Sequence, residues 1–409
     1  MTKIVLPELL SPAGNPEKLL FAYLYGADAC YVGGENFSLR RAADNFTDAE
    51  LADGIKLAHS MGRRLYVAVN IFAHNEDIEA IADYLRQLAD IKPDGLIVSD
   101  PGVFSLCKKH APEIPIHIST QANNTNWATA QFWKEQGAKR LILARELTLA
   151  EAGEISRCGG VATEIFIHGA MCVSYSGRCL LSNFLTGRDA NKGNCSHPCR
   201  WEYRVLEEKS RHGEYFPIEE DEKGAYIMNS KDLCLLPSLP EIVACGISSL
   251  KIEGRNKSAY YAANVTRIYR AALDAIAAEG EAYYMRPEWM EELQKVSHRE
   301  YTEGFAHGKP DASTMRYENS GYEREQDFCA IVLGVDSRGL LMEQRNKITL
   351  GDELEIILPN GSNNTVIINE MYDYLSDKQI ESAPHPKQKI IIPADLKTET
   401  PLIARRKSR

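Results

Sequence analysis

Short apolar runs alternate with amphipathic stretches through about the first 280 residues of the chain. Eight runs have the length of strands that are buried on both faces. They are LPELLSPAG (6–14), ACYVGG (29–34), RLYVAVN (64–70), GLIVSD (95–100), IPIHIST (114–120), RLILARE (140–146), TEIFIHG (163–169) and SSLKIEG (248–254). The segments between them, such as TDAELADGIKLAHSMG, carry apolar residues at spacings of three and four, which is typical of helices. Strand and helix therefore alternate.

Eight strand–helix repeats of this length predict a TIM-like (β/α)8 barrel over residues 1–285. The alternative is a doubly wound open sheet, which has the same alternation without closure. Residues 286–324 predict a polar linker. From residue 325 the pattern changes to short alternating strands punctuated by turn sequences such as PNGSNN. Residues 325–409 therefore predict a small β-barrel domain.

One connection in the predicted barrel is much longer than the others. Strand seven ends near Gly169 and strand eight begins near Ser248, whereas a βα unit usually takes about 20 to 30 residues. This insertion, at about 170–247, leaves from the strand ends at which (β/α)8 enzymes build their active sites. Five of the ten cysteines lie in it, namely Cys172, Cys179, Cys195, Cys199 and Cys234. We expect the chemistry there.

Composition narrows the compartment and the class of partner. The chain has 409 residues, 44% of them hydrophobic, and a formal net charge of −10. We find no leader-type segment and no apolar run of about 18 residues, so we expect a cytoplasmic protein without a membrane partner. The charge argues against indiscriminate nucleic-acid binding. The basic end PLIARRKSR predicts a solvated terminus or, alternatively, a segment that follows a phosphate backbone.

The cysteine spacing leaves several kinds of site open. Thiols stay reduced in the cytoplasm, so clustered cysteines are more often metal ligands or catalysts than disulfides. Six residues separate Cys172 from Cys179 and fifteen separate Cys179 from Cys195. Structural zinc sites usually pair ligands at two to four residues, and only CSHPC (195–199) approaches that. Iron–sulfur clusters accept thiolates from scattered loops more readily, so spacing slightly favours a cluster over zinc.

The stretch EIFIHGAMCVSYSGRCLLSNF (164–184) is similar to the signature of peptidase family U32. In that signature an acidic residue and an aromatic residue precede Gly-Ser/Ala-Leu/Met-Cys, then four residues, Gly-x-Cys and a serine. The residues in place here are Glu164, Phe166, Gly169, Ala170, Met171, Cys172, Gly177, Cys179 and Ser182. The segments NKGNCSHPCRWEY, SLKIEGRNKSAYYAANVTRIYR and HREYTEGF resemble later blocks of that family. The resemblance spans nearly the whole chain.

This resemblance implies an iron–sulfur protein of a hydroxylation pathway. Cys172, Cys179, Cys195 and Cys234 match the thiolates of a 4Fe-4S cluster in such members, which leaves Cys199 as a spare or as a substitute for one of them. One barrel with one appended β-domain resembles the transfer RNA branch. That branch implies hydroxylation of the wobble uridine to 5-hydroxyuridine, the tRNA anticodon region as partner, prephenate as a small carboxylate co-substrate and an electron donor. Ribosomal RNA is the alternative substrate.

Polar residues at the predicted strand ends are the candidates for the reaction site. The catalytic candidates are Lys251, Glu253, Arg255 and His168, with Arg255 preferred for a carboxylate because its fork suits a planar anion. The candidates for substrate binding are Arg40, Arg41, Asn70, Gln121 and Lys257. Glu8, Ser11 and Glu146 are also predicted at strand ends that face the mouth. For all of them, structural hydrogen bonds or ion pairs are the alternative, and Arg40 and Arg41 could simply begin a surface helix.

Two functions of other classes stay open at this stage. A cysteine peptidase could use Cys172 as nucleophile with His168 four residues before it, although no orienting partner is evident. That hypothesis leaves Cys179, Cys195 and Cys234 unexplained. A noncatalytic RNA-binding adaptor would use the β-domain and the basic end, and it leaves all the thiols unexplained.

Overall fold

The structure is a computed structural model that describes residues 4–35, 37–38, 45–171, 182, 186, 188, 195–196, 219–221, 224–226, 231–308 and 323–408. The strands up to residue 308 are β1 (Glu8–Pro12), β2 (Ala29–Gly33), β3 (Arg64–Val69), β4 (Gly95–Val98), β5 (Ile116–Ile118), β6 (Arg140–Ile142), β7 (Ala162–Ala170), β8 (Glu219–Asp221), β9 (Gly224–Tyr226), β10 (Asp232–Cys234), β11 (Ser249–Ile252) and β12 (Tyr301–Thr302). The helices are α1 (Pro16–Leu24), α2 (Asp48–Ser60), α3 (Ile78–Ile91), α4 (Pro101–His110), α5 (Trp127–Gln136), α6 (Leu149–Cys158), α7 (Leu239–Ala244), α8 (Ala259–Glu279) and α9 (Pro287–Gln294), with short 3-10 turns at Asn75–Asp77, Thr120–Ala122 and Gly280–Ala282.

Eight parallel strands close into a barrel. Strands β1 to β7 pair in sequence order, and β11 pairs with both β7 and β1. The predicted TIM-like barrel is confirmed, and the open doubly wound sheet is wrong because the ladder closes. Each of the eight predicted apolar runs coincides with one barrel strand, and β7 extends one residue beyond its run at each end. The carboxyl ends of all eight strands therefore meet at one rim, which we call the mouth.

Local sequence signals explain where the barrel helices begin. The side chains of Asn15, Thr47, Asp100, Asn126 and Thr148 each accept a hydrogen bond from the backbone N–H three residues later. Such caps each stabilise a helix by about 1 kcal/mol. The helices then bury one apolar face against the strands. None of the helices in the described part of the chain is both long and apolar enough to cross a membrane.

The second half of β7 leaves the barrel wall and carries two further strands. Strand β10 pairs with it in antiparallel register, with Cys234 opposite His168, and β12 pairs in parallel with β10. Gly169 permits this change of direction, because its φ of +105° lies in the region that only glycine adopts freely. The end of the insertion is therefore built onto the rim of the barrel.

The segment 286–324, predicted as a polar linker, contains ordered elements. It holds α9, whose Leu293 is buried in the barrel core, and β12, which joins the sheet through β10. Its apolar residues are few, which is why the sequence pattern alone resembled a linker.

The C-terminal region is antiparallel β-structure, as predicted. Its strands are β13 (Gln326–Asp336), β14 (Gly339–Gln344), β15 (Ile348–Thr349), β16 (Glu353–Ile357), β17 (Asn363–Ile367), β18 (Tyr372–Asp373), β19 (Ser382–Ala383), β20 (Lys389–Ile392) and β21 (Leu402–Lys407). Seven of them form one sheet in the order β17-β16-β21-β13-β14-β20-β18, and β15 pairs with β19.

The prediction of a solvated basic terminus is wrong. Strand β21 lies inside the sheet between β16 and β13. Its residues alternate between two cores: Leu402 and Ala404 pack in the β-domain, whereas Ile403 packs with the barrel. Arg405 is buried and Arg406 forms an ion pair with Asp352. PLIARRKSR therefore contains a central strand, and Arg405 and Arg406 are not available to follow a phosphate backbone.

Candidate functional site

Five of the predicted site residues lie outside the described residues: Arg40, Arg41, Cys172, Cys179 and Cys199. The other candidates fall into three places. These are the barrel interior, the mouth above it, and the wall beside β7 and β10.

The barrel interior holds a chain of ion pairs. Arg140 Nη1 lies 2.6 Å from Glu8 Oε1 and 3.1 Å from Glu164 Oε2, and Lys251 Nζ lies 3.0 Å from Glu164 Oε1. Arg64 forms the last ion pair of this chain, with its Nη2 2.7 Å from Glu8 Oε2. Burial raises the pKa of Glu164, but Lys251 and Arg140 outweigh it and hold that pKa below its ordinary value.

This arrangement changes the expected roles of two residues. Glu8 is the first residue of β1, so it lies at the opposite end of the strand from the mouth, and its predicted position is wrong. Lys251 is buried below the mouth, and its ammonium group is paired with Glu164. Breaking a buried pair of this kind leaves an uncompensated charge, so both residues contribute to the stability of the barrel.

One half of the mouth is cationic and aromatic. The Arg145 guanidinium carbon lies 3.8 Å from the centroid of the Phe166 ring, and Arg145 Nη2 lies 3.6 Å from Glu253 Oε2. Tyr31 Oη lies 3.4 Å from the same carboxylate. Lys251 Nζ sits beneath this layer, 4.1 Å from the centroid of the Tyr31 ring. Glu253 is thus at the mouth, as predicted, between a guanidinium and a phenol.

The other half of the mouth is neutral and polar. Asn70, which follows β3, donates to Gln121 Oε1 at 3.1 Å, so the structure brings these two predicted residues together. The Ser99 hydroxyl donates to the Asn70 carbonyl at 3.0 Å. Gln121 is buried and Asn70 is half-buried. The mouth therefore combines a charged half with a half that offers amide donors and acceptors.

Arg255 lies at the edge of the mouth, under the loop between β2 and α2. Its Nη2 donates to Ser38 Oγ at 3.2 Å and to Asn45 Oδ1 at 2.6 Å. Gly33 provides the space, because a Cβ there would come within 2.4 Å of Arg255 Nη2. Arg255 therefore holds the described part of this loop through Ser38 and Asn45.

Two further predicted residues serve the framework. Lys257 Nζ donates to the Ser297 carbonyl at 2.8 Å. Ser11 does not face the mouth as predicted, because its hydroxyl is 2.7 Å from Thr266 Oγ1 of α8 on the outer side of the barrel. Glu146 is half-buried in the loop after β6.

His168 lies in the wall and faces α8. Its ring is 5.1 Å from Tyr301 and 5.6 Å from Tyr269, centroid to centroid, and it is almost completely buried. Burial, assisted by His298 and Lys257, lowers the pKa of His168 to about 3, so the imidazole is neutral at physiological pH. Within the described residues its Nε2 has no hydrogen-bond partner. His168 is therefore close to the cysteine region, beside Cys234.

Cys234 is the best-defined member of the predicted ligand set. It is buried, its Sγ lies 3.8 Å from Tyr269 Oη, and burial raises the pKa of its thiol to about 11 despite a backbone hydrogen bond from Leu236. Cys195 is half-buried, next to a group of hydroxyls in which Ser196 Oγ and Ser182 Oγ are 2.9 Å apart. The described residues contain no group of three or more potential metal ligands, and they include only these two of the four predicted thiols.

Cys195 and Cys234, the two predicted ligands that the structure describes, are of the donor type that an iron–sulfur cluster uses. A buried thiol with a raised pKa is uncharged unless a metal replaces its proton, and soft thiolate donors suit iron–sulfur clusters. A backbone N–H directed at the sulfur is an interaction that helps to set cluster properties.

A peptidase geometry is not found among the described residues. Ser238 Oγ is 2.9 Å from His307 Nε2 and also donates to Glu303 Oε1, which superficially resembles a triad. In a working triad the acid orients the other ring nitrogen of the histidine, whereas here Glu303 binds the serine itself. His168, the base proposed for Cys172, has a pKa of about 3 and faces α8. Neither histidine is arranged as the general base of an acyl transfer.

Sequence reasoning missed Arg145. It follows directly on the run RLILA, and we selected its neighbour Glu146. Strand β6 ends at Ile142, so the two-residue alternation that would distinguish inward from outward side chains stops before Arg145. Its place beside Phe166 depends on the loop after the strand.

Comparisons with known proteins agree with this architecture. Residues 14–316 match peptidase family U32, and residues 324–405 match the peptidase family U32 C-terminal domain. A tRNA hydroxylation protein of Bacillus subtilis is 41% identical over 393 residues, which cover 96% of this chain and 92% of that protein. A tRNA hydroxylation protein of Escherichia coli is 39% identical, covering 92% of this chain and 91% of that protein. A 23S rRNA 5-hydroxycytidine synthase of Escherichia coli is 37% identical over 66% of this chain, but only 40% of that protein is covered.

The two family matches together span both the barrel and the β-domain, and they confirm the resemblance carried by the motif around Cys172 and Cys179. This chain belongs to peptidase family U32.

Proposed function

We propose that this protein hydroxylates transfer RNA, converting the wobble uridine to 5-hydroxyuridine with the help of a 4Fe-4S cluster and prephenate. The observation that carries the proposal is the similarity, over nine-tenths or more of both chains, to proteins named for tRNA hydroxylation. Because the similarity includes the β-domain as well as the barrel, the complete domain plan is shared.

The mouth of the barrel suits a reaction between a base and a small carboxylate. It offers a guanidinium at Arg145, a carboxylate at Glu253, and amides at Asn70 and Gln121. Replacing hydrogen by hydroxyl at carbon 5 of the uracil ring is a two-electron oxidation; in this proposal prephenate supplies the hydroxyl group, and a separate two-electron acceptor takes up the electrons while the displaced proton goes to solvent. The residues of the mouth would bind and orient both partners, which can contribute much of the rate enhancement.

Four thiolates would hold the cluster: Cys172, Cys179, Cys195 and Cys234. A cluster at this place would either transfer electrons or keep the insertion folded at the rim of the barrel. Cys234 is held by β10, which pairs with the end of β7, so one ligand is fixed to the barrel itself. A redox partner that exchanges electrons with the cluster, and so accepts those released by the base, would then be a further partner.

Ribosomal RNA is the less supported substrate. The relative named for rRNA hydroxycytidine synthesis is matched over only 40% of its length, so most of that protein has no counterpart here.

The cluster is tested by purifying the full chain without oxygen. We expect a brown protein with a broad absorbance shoulder near about 400 nm, together with iron and sulfide. Alanine substitution of Cys172, Cys179, Cys195 or Cys234 should deplete both elements, whereas Cys199→Ala should retain most of them. Cys158, which is exposed at the end of α6, gives the matched control. A colourless protein that contains zinc would contradict the proposal, and equal iron loss for Cys199→Ala would change the ligand assignment.

The substrate is tested by nucleoside mass spectrometry of bulk tRNA from a deletion strain that has no redundant pathway. We expect 5-hydroxyuridine and its derivatives to disappear and to return with the wild-type gene. Unchanged 5-hydroxyuridine would exclude the tRNA proposal and direct attention to ribosomal RNA.

A further inference from the structure

Arg145 differs from the other cations of the barrel in how few of its donors are used. Its side chain is 13% exposed, and its one ionic partner, Glu253, is 3.6 Å away, beyond hydrogen-bond distance. Among the described residues no acceptor meets hydrogen-bond geometry with its guanidinium, and its other contact is the face of Phe166. A guanidinium has five N–H donors, and largely removing it from water without acceptors is costly.

The neighbouring cations each have a partner within hydrogen-bond distance, although Arg140 Nε has no acceptor among the described residues. Lys251 and Arg140 are paired with Glu164 at 3.0 Å and 3.1 Å. Arg255 donates to Ser38 and Asn45. Arg145 is therefore the cation at the mouth that is best placed to accept an additional partner.

The positive charge of Arg145 favours an anion as this partner. Among the described residues, the ion pairs of the interior and the mouth link four cations, Arg64, Arg140, Arg145 and Lys251, to three carboxylates, Glu8, Glu164 and Glu253. This set of ion pairs has a formal charge of +1. His117, which packs edge-on against Tyr66 in the same interior, adds no charge, because burial lowers its pKa to about 3.

The shape of the site favours a small carboxylate. A guanidinium fork matches the two oxygens of a carboxylate with two parallel hydrogen bonds. The amides of Asn70 and Gln121 lie on the other half of the mouth, where they can bind a second polar group or the base.

We propose that Arg145 binds the carboxylate of the small-molecule co-substrate at the mouth of the barrel, over Phe166 and beside Glu253. This inference rests on the proposed function, because it assigns a residue to the co-substrate of that reaction. It differs from the prediction made from sequence, which preferred Arg255 for this role.

The test is isothermal titration calorimetry of the anaerobically purified full chain with prephenate, benzoate and inorganic phosphate. Arg145→Gln should weaken carboxylate binding by about tenfold to a hundredfold, the effect expected for losing charged hydrogen bonds. Arg145→Lys, which keeps the charge and loses the fork, should give an intermediate loss. Arg86→Gln is the matched control, because Arg86 is an exposed arginine on α3 whose partner Asp83 lies on the same helix. It should bind like wild type.

Gel-shift binding of an anticodon stem-loop completes the test. Arg145→Gln should bind this RNA within about twofold of wild type, because the proposal assigns Arg145 to the small molecule. Carboxylate affinity that is unchanged in a folded Arg145→Gln protein would overturn the inference, as would equal losses for RNA, phosphate and carboxylates. Absence of any carboxylate binding in wild type would also overturn it. If benzoate binds through Arg145 and prephenate does not, the inference stands and the co-substrate in the proposed function is wrong.

Discussion

Two regions of the molecule contain buried arginines, and these arginines differ in how many of their N–H donors are hydrogen-bonded. Where the barrel meets the β-domain, Arg405 and Arg267 are completely buried. Arg405 donates to Glu355 at 2.6 Å, to Glu292 at 2.9 Å and to Tyr260 at 3.0 Å. Arg267 likewise uses its donors on Glu292, Asn264 and the loop after β16. At the mouth, the described residues around Arg145 offer it one carboxylate, at 3.6 Å, and one aromatic ring.

This difference separates an arginine that holds the fold from one that awaits a ligand. A buried charge is tolerated when its hydrogen bonds are complete, because removal from water is then compensated. The domain interface meets this condition within the chain. The mouth does not, so its compensation is expected from outside the chain. Whether the N–H donors of a buried arginine are all hydrogen-bonded within the chain, rather than its burial or charge alone, therefore distinguishes these two roles.

The largest expected effect is at the domain interface. Arg405→Ala removes one partner from a buried network and leaves Glu292 and Glu355 short of a cation, so we expect a loss of about 3–5 kcal/mol in the free energy of unfolding. Urea denaturation measures it. The control is Arg86→Ala, an exposed pair, for which we expect at most about 1 kcal/mol. Equal losses of unfolding free energy at the two positions would mean that the buried network at the domain interface stabilises the fold no more than an exposed ion pair does, which would contradict the comparison.

The same network predicts a specific acid sensitivity. Burial alone would raise the pKa of Glu292, but Arg405 and Arg267 lower it to about 2. A folded-state pKa below the unfolded value of about 4.3 means that the stabilisation is complete above that pH and is lost as the pH falls toward 2. The loss should be about 3 kcal/mol in wild type. Melting temperatures between about pH 6 and pH 2 should therefore fall less steeply in Glu292→Gln than in wild type; parallel curves would argue against this assignment.

The smallest effect on stability is expected at the mouth. Arg145→Gln removes a cation–π contact and a loose ion pair, so the free energy of unfolding should change by about 1 kcal/mol or less in buffer free of carboxylates. Urea denaturation beside Arg405→Ala gives the comparison directly. A loss as large as that of Arg405→Ala would mean that Arg145 is a framework residue.

Much of the fold was accessible from the sequence because hydrophobic periodicity and turn residues are local signals. Seven of the eight barrel strands fall within the predicted runs, and β7 exceeds its run by one residue at each end. Strand β21 was missed because its arginines look solvated, whereas Arg405 is neutralised by Glu292, which is more than a hundred residues earlier. The segment 286–324 was misread for the same reason, since α9 is held by contacts that are distant in sequence.

The site was only partly accessible from the sequence. Strand ends predicted Asn70, Gln121 and Glu253 at the mouth, and the structure brings the first two into contact. Lys251 lies below the mouth and His168 points outward. Both directions depend on the pairing of β7 with β11, whose register shifts between Lys251 and Ile252. A shift of one residue there reverses the side that a residue faces, so it cannot be deduced from the pattern alone.

The most direct test of the account is complementation of the deletion strain with variants at matched protein levels, followed by nucleoside mass spectrometry of bulk tRNA. Wild type, Cys158→Ala and Arg86→Gln should restore 5-hydroxyuridine. Cys234→Ala should not restore it, because one cluster ligand is missing, and Arg145→Gln should restore about a tenth or less at limiting co-substrate. Full restoration by Cys234→Ala would contradict the proposed cluster chemistry, and a deletion strain that keeps its 5-hydroxyuridine without any redundant pathway would contradict the proposed function itself.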